Sequence, residues 1–308
     1  MVSKSSRRHI PEQTSRCRRL RILLLGGTGQ VGFELQRSLA HLGEIIAPGR
    51  AILDLMNKSA VEDYLNENNI DLIVNAAAWT DVDKAEDHKV AAQRLNADLP
   101  KQLAHYSATK EIKLIHYSSD YVFNGSGSKP WNENSPIGPL NFYGQTKIEG
   151  DESIQQSCFN YLIFRTSWVY SARGNNFMNS MLKLAKNKTK LNIVSDQIGA
   201  PTSARLIAEV TALAIHARLE SGLYHLTPRG ETSWYGFAKA IFNLGLKAGL
   251  KLTLSSKNVN PILTKEYPTP ASRPQNSRMD STKLESALNI ELPDWESQLD
   301  LTFNECIK

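Results

Sequence analysis

The sequence predicts an α/β fold, a doubly wound parallel sheet with a smaller, mixed C-terminal domain. Three observations predict it. Short apolar runs without polar alternation recur between segments of helical periodicity. A glycine-rich turn joins the first such run to the first helix. The regular alternation then loosens beyond residue 166. Runs of this kind suit strands buried on both faces, as in a parallel sheet.

Residues 21–25 read as the first strand. After the glycines, Val31, Leu35, Leu39 and Leu42 recur at helical spacing. Residues 44–47 and 71–75 read as the second and third strands, with a helix over 59–68 between them. Residues 91–107 are helical, and Pro100 is expected to kink or divide them, because proline inside a helix removes a hydrogen bond and crowds the preceding turn. A strand at 112–117, a helix at 143–156 and a strand at 161–164 complete a β-α-β-α order that argues for a doubly wound sheet. Further on, helices are expected at 175–186, 205–219, 234–246 and 282–288, with a strand at 191–194 and an irregular, turn-rich segment at 267–274. The organisation that follows is a basic, disordered tail over 1–20, a dinucleotide-binding domain over 21–165, and a mainly substrate-binding domain over 166–308 with segments returning to the first.

The chain has 308 residues, ample for a sizeable core. Its 41% apolar and 22% charged content is that of a soluble globular protein, which sets aside fibrous and fully disordered classes. No apolar stretch is long enough to span a bilayer, and residues 1–20 lack the apolar core of a secretory signal. The net charge of +5 comes from the start of the chain: residues 1–21 carry seven basic side chains against one acid, so the rest is close to neutral. Neither a nucleic acid nor a membrane is therefore expected as a partner, and the tail reads as a solvated terminus. Cys17, Cys158 and Cys306 form no paired framework, which points to a reducing, cytoplasmic setting. The histidines show no metal-ligand spacing, and His116 and His225, set in apolar runs, read as ordinary strand residues.

Gly27, Gly29 and Gly32 spell G-x-G-x-x-G, and Gly26, Gly29 and Gly32 also fit the wider G-x-x-G-x-x-G spacing. Glycine permits the tight turn and lets backbone amides reach a pyrophosphate. The helix beginning at Gln30 and Val31 adds unpaired N–H groups and a positive dipole end. This is a Rossmann-like cradle. The second strand runs into Ala47-Pro48-Gly49-Arg50 rather than the acid that would bind ribose hydroxyls. A guanidinium there matches a 2′-phosphate, which favours NADPH, with NADH as the alternative and a solvated surface arginine as the competing reading of Arg50. Asp54, with Leu55 beside it, is placed at the adenine.

Tyr143 and Lys147 lie four residues apart on a helix, so they share a face, and Ser119 stands 24 residues before Tyr143 at the end of an apolar run. A free tyrosine titrates near about 10, and a nearby ammonium is expected to lower that value. Tyr143 then serves as acid-base group, Lys147 as its partner and a holder of the nicotinamide ribose, and Ser119 as the hydroxyl that polarises a carbonyl.

These residues resemble the short-chain dehydrogenase/reductase superfamily in its extended branch, which acts on nucleotide sugars. The stretches beginning at Asn75, Tyr117, Arg165 and Ser195 (NAAAWTDVDKAE, YSSDYVF, RTSWVY and SDQIGAPT) are similar to the dTDP-4-dehydrorhamnose reductase family within it. The resemblance implies NADPH-dependent reduction of the C4 keto group of dTDP-4-dehydro-L-rhamnose to dTDP-L-rhamnose. It implies that Ala76, Ala77 and Ala78 line the cofactor, and that Thr80, Val82, Ser119, Asp120, Tyr121 and Trp168 contact the nucleotide-sugar substrate. An indole offers a broad apolar face to a sugar ring, although core packing is the other reading of Trp168. Some relatives are described as binding magnesium through glutamates and pairing as dimers. Glu34 matches one such position, but Arg205 stands where a second glutamate is expected, so no metal is predicted and a homodimer is left open. Two other roles stay open, a regulatory NADP-binding subunit resembling the methionine adenosyltransferase β-subunit, and another nucleotide-sugar reductase or epimerase.

Overall fold

The computed structural model describes residues 19–308, so the basic tail expected over 1–20 lies outside the described residues apart from Arg19 and Leu20. The first half alternates strictly: β1 (Leu20–Leu25), α1 (Gln30–Ser38), β2 (Gly43–Ile46), α2 (Lys58–Glu67) and β3 (Leu72–Asn75). Next come α3 (Val82–Ala85), α4 (Lys89–Gln93), α5 (Leu99–Lys110), β4 (Lys113–Ser119), α6 (Phe142–Ser157) and β5 (Tyr161–Thr166). Pro100 does not break its helix. It sits in the first turn of α5, where an N–H would have no partner anyway, and the division falls just upstream in a π-helical turn over Arg94–Asp98.

The second half is more broken. It contains β6 (Val169–Tyr170), α7 (Phe177–Asn187), β7 (Leu191–Val194), β8 (Ile198–Gly199), β9 (Thr202–Ser203), α8 (Ala204–His216) and β10 (Gly222–His225). These are followed by β11 (Thr232–Ser233), α9 (Trp234–Lys247), β12 (Val259–Ile262), β13 (Asn276–Ser277), α10 (Thr282–Leu288) and α11 (Trp295–Cys306). The sequence reading placed His225 in a strand, which is β10, without giving that strand bounds, and it did not anticipate α11. A signal for α11 was present, since Asp294 caps it and Trp295, Leu299 and Phe303 form its buried stripe.

Six parallel strands form the main sheet in the order β10-β5-β4-β3-β1-β2. Alternate residues of β1 serve different cores. Ile22 and Leu24 pack with Leu35 of α1, Ile207 of α8 and Leu284 of α10, whereas Leu23 and Leu25 pack with Val61 of α2 and Leu103 of α5. Two-sided burial is why these strands read as continuous apolar runs. A third core holds Met178, Phe237, Ile241, Trp295 and Phe303, contributed by α7, α9 and α11. The rim strand β10 is furnished with side-chain partners: Lys283 donates to the Leu223 carbonyl at 2.8 Å and Glu133 accepts from the His225 N–H at 2.9 Å. Among the described residues no helix is long and apolar enough to cross a membrane.

Strand order reverses between β1 and β3, and the crevice at such a reversal is where open α/β sheets take ligands. The turn after β1 is closed tightly there. Gly26 has φ +78°, and a Cβ on it would stand 2.6 Å from the backbone of Ala76 and Ala77; a Cβ on Gly32 would stand 2.1 Å from the Gly26 carbonyl. Side chains at either position displace backbone, not flexible atoms. Gly32→Ala should therefore cost at least about 2 kcal/mol, read as a lower urea midpoint with an unchanged slope. An unchanged midpoint would show that the turn has room to spare.

Candidate active site

At the N-terminus of α1, Gly29 occupies the capping position without a side-chain cap, and the first turn carries no acid. Backbone N–H groups of Gln30 and Val31 therefore sit in an uncapped first turn with a positive dipole end, an arrangement suited to a pyrophosphate. The Gln30 side chain turns away from this role. Its Oε1 accepts from Ser171 Oγ and Asn176 Nδ2, each at 2.9 Å, tying the cradle to the segment before α7. Beyond β2, Arg50 is mostly exposed and lies 3.9 Å from the Asp54 carboxylate. Leu55 is half-buried, and its carbonyl accepts from Arg94 Nε at 3.0 Å. Across the crevice, the Ala76 N–H donates to the Leu25 carbonyl and the Ala77 N–H to Asn75 Oδ1, so residues 76–78 run beside the glycine turn.

Ser119 ends β4 and caps the 3₁₀ turn Asp120–Val122 by accepting from the Tyr121 N–H at 3.2 Å; its own hydroxyl donates to Asp120 Oδ1 at 3.0 Å. Asn141 caps α6, accepting from the Gly144 N–H at 2.8 Å, and this starts the helix so that Tyr143 meets Tyr121 edge to face at 5.5 Å between ring centres. Lys147, one turn on, is 2% exposed. Its Nζ donates to the Tyr117 carbonyl at 2.6 Å and lies 3.4 Å from His116 Nε2. Ser119, Tyr143 and Lys147 thus converge where β4 ends.

The electrostatics depart from expectation at one point. Burial pushes the Tyr143 phenol above its ordinary value, opposed by a hydrogen bond from Ser119 and reinforced by the carboxylates of Asp120 and Asp151. The lowered phenol expected from a neighbouring ammonium is corrected, because Lys147 is turned onto Tyr117 and His116, and desolvation outweighs what remains. Burial also draws Lys147 down to about 8, against the pull of Asp151. Asp151 is itself buried and paired with Arg165 at 3.1 Å, and it accepts from Ser118 at 2.8 Å. Desolvation lifts Asp120 to about 6 in spite of Ser277 and Ser119.

Of the residues expected at the substrate, Thr80 is exposed and Val82, half-buried, opens α3. Asp120 is buried, and the Tyr121 hydroxyl accepts from Arg273 at 3.1 Å. Arg273 also holds Asp83 at 2.6 Å, which joins the turn-rich 267–274 segment to α3. Trp168 is stacked on Trp234 at 3.7 Å and packed against Gly199. Its φ of +50° is a strained conformation for so large a side chain. Two structural anchors escaped the sequence reading. Arg273 was visible only as part of a turn. Asn96, buried in the π-helical turn, clasps both backbone groups of Trp79 and donates to Thr146 of α6.

Arg205 reaches Glu34 at 3.2 Å and also pairs with Glu305, so a guanidinium stands between these two carboxylates. Two cavities open elsewhere, one of about 420 Å³ beside Arg229 and Arg278 and one of about 380 Å³ between α6 and β10. Neither is lined by Ser119, Tyr143 or Lys147.

A family model described as RmlD substrate binding domain matches residues 20–307. The dTDP-4-dehydrorhamnose reductase of Salmonella typhimurium is 46% identical over 290 residues, covering 90% of this chain and 95% of that protein. The crystal structure of a reductase of the same name from Clostridium acetobutylicum superposes with a TM-score of 0.87 at 34% identity, over 94% of this chain and 100% of the other. That of Bacillus anthracis, solved in complex with NADP, gives 0.85 at 34% identity, over 93% and 99%.

The Asp120 environment has a consequence for stability. An unfolded carboxyl ionises near about 4, whereas folded Asp120 holds its proton to about 6. The ionised folded form is thus disfavoured; stability falls as pH rises through this window, and the loss is complete above it. Asp120→Asn should stabilise the chain by ~3 kcal/mol at pH 7.5 and by roughly half that at pH 5. Chemical denaturation at the two pH values checks this, and an equal effect at both would remove the carboxyl as the cause.

Proposed function

The chain belongs to the RmlD substrate binding domain family, and from that premise we propose that it reduces dTDP-4-dehydro-L-rhamnose to dTDP-L-rhamnose with NADPH. It is a dTDP-4-dehydrorhamnose reductase by the company of its relatives, at 46% and 45% identity, and an NADP-dependent oxidoreductase. The observation that carries the chemistry is the meeting of Tyr143 and Ser119 at the carboxyl end of β4, with Lys147 buried one helical turn away.

The glycine turn fits a dinucleotide, since a Cβ at Gly26 or Gly32 would fill the close approach and α1 presents its N–H groups uncapped. Gly26, Gly29, Gly32 and the Gln30 and Val31 amides would hold the pyrophosphate, Arg50 the 2′-phosphate, Asp54 and Leu55 the adenine, and Ala76, Ala77 and Ala78 the nicotinamide side. When bound, NADPH supplies the hydride. The protein's own residues supply orientation and a proton. Ser119 donates a hydrogen bond to the carbonyl oxygen. Tyr143, kept protonated at neutral pH by its burial, gives its proton to the oxygen as negative charge develops there. Lys147 would hold the nicotinamide ribose. Thr80, Val82, Asp120, Tyr121 and Trp168 would hold the sugar nucleotide, with residues 166–308 forming most of that side. A cytoplasmic setting belongs to the same reading and is supported by the free thiols of Cys158 and Cys306.

An assay supplying dTDP-4-keto-L-rhamnose and following reduced nicotinamide absorbance tests the reading; stoichiometric consumption separates a reductase from an epimerase, which returns its hydride. In this assay Tyr143→Phe should lower turnover by at least about a hundredfold while leaving NADPH binding largely intact. Near-normal turnover would exclude the phenol as proton donor. Arg50→Ala should raise KM for NADPH by roughly tenfold and leave KM for NADH little changed. Equal effects on the two cofactors would take Arg50 out of the site.

A further inference from the structure

The buried groups beneath Lys147 form a line with a direction. Lys147 Nζ lies 3.4 Å from His116 Nε2, His116 Nδ1 lies 3.2 Å from Asn75 Nδ2, and Asn75 Oδ1 accepts from the Ala77 N–H at 3.3 Å. Asn75 and His116 are register partners on β3 and β4, which sets their side chains next to each other. Both are 1% exposed and Lys147 is 2% exposed, so all three are closed to bulk water and lie within direct reach of one another. Burial, and then the charge of Lys147, push the imidazole well below its ordinary value. It is neutral, with one ring nitrogen as donor and the other as acceptor.

An amide NH₂ can only donate, so Nδ1 accepts from Asn75 and the ring proton sits on Nε2, pointing at Lys147. A neutral amine has a lone pair to receive that N–H; an ammonium has none. The arrangement is therefore the one suited to neutral Lys147, and the 2.6 Å bond from Nζ to the Tyr117 carbonyl is compatible with it. One proton added to the Lys147–His116 pair reverses the line. The Nε2 proton passes to Nζ, which becomes the ammonium and donates back to Nε2, and the added proton settles on Nδ1, so the ring stays neutral; the Asn75 amide turns its oxygen to Nδ1, and the Ala77 N–H loses its acceptor.

We infer that His116 and Asn75 are positioning residues that couple the charge on Lys147 to the Ala77 amide, freeing that N–H for the cofactor when Lys147 is protonated and tying it down when Lys147 is neutral. The catalytic use of this link rests on the reductase reading above. The titratable groups facing it are Lys147 and, through Lys147, Asp151 of α6, which is held by Ser118 of β4 and Arg165 of β5; β3 contributes Asn75, which does not titrate.

Heteronuclear NMR on histidine-labelled protein reads the His116 tautomer without any turnover. Across the Lys147 titration, the ring should pass from Nδ1–H on the acid side to Nε2–H on the alkaline side, and the Ala77 amide resonance should shift with the same midpoint. A single tautomer on both sides overturns the link. In turnover, His116→Phe should lower kcat by about tenfold or more with KM for NADPH within about twofold, and His116→Gln, which can still accept and donate, should recover part of the loss. Full kcat in the Phe variant overturns the catalytic use of the link. Because the tautomer is read on resting protein, failure of the wild-type chain to reduce the keto-sugar would count against the reductase reading alone.

Discussion

A lysine closed off from water is the constraint on which the site depends. Lys147 projects from α6 onto the end of β4 and is 2% exposed. Whatever its protonation state, it is met by fixed groups, which are the Tyr117 carbonyl, the His116 ring and the Asp151–Arg165 pair one turn along. Buried ionic groups are costly to leave unpaired, so each partner is held in turn by others. Ser118 bonds Asp151, and Asn75 bonds His116. The same exclusion of water keeps Tyr143 protonated and makes a hydrogen bond aimed at a developing oxyanion worth more than it would be in solvent.

Most strands and helices were legible because burial wrote itself into the chain. A parallel strand with a core on each face must be apolar at every position, and the helices between such strands keep a 3.6-residue stripe. Tyr143 and Lys147 were legible for a similarly local reason, since an i,i+4 pair on a helix shares a face whatever surrounds it. The supporting groups were not. His116 meets Asn75 from 41 positions away, Tyr121 meets Arg273 from 152, and Glu34 meets Arg205 from 171. The direction of the Tyr143 shift was missed for the same reason, because spacing reports a neighbour on the helix but not the depth of burial that overrides it. Of β10 only His225 was legible as a strand residue, and its bounds were not, because four residues, Gly222–His225, carry little periodic signal of their own.

The second half of the chain solves a different problem, holding broken elements together with aromatic contacts. Trp168 is forced into a left-handed backbone conformation and then pinned by Trp234 on its face and Gly199 at its edge. Strain of this kind persists only where the surroundings over-determine it. Phe177, Phe237 and Trp295 continue the stack inward to the third core. The clasp of Gln30 by Ser171 and Asn176 connects that core to the phosphate cradle, so the two halves share hydrogen bonds as well as a chain.

The furnishing of β10 bears on how the molecule behaves in a crowded cell. A sheet's outermost strand ordinarily offers its outward N–H and C=O groups to any passing extended segment, the route by which folded chains nucleate fibres. Here two of those groups are already engaged, one by the ammonium of Lys283 and the other by the carboxylate of Glu133. A stray strand seeking to extend the sheet would have to displace charged side chains before it gained its first ladder bond. The rim is thereby defended against self-association by ionic occupancy rather than by proline.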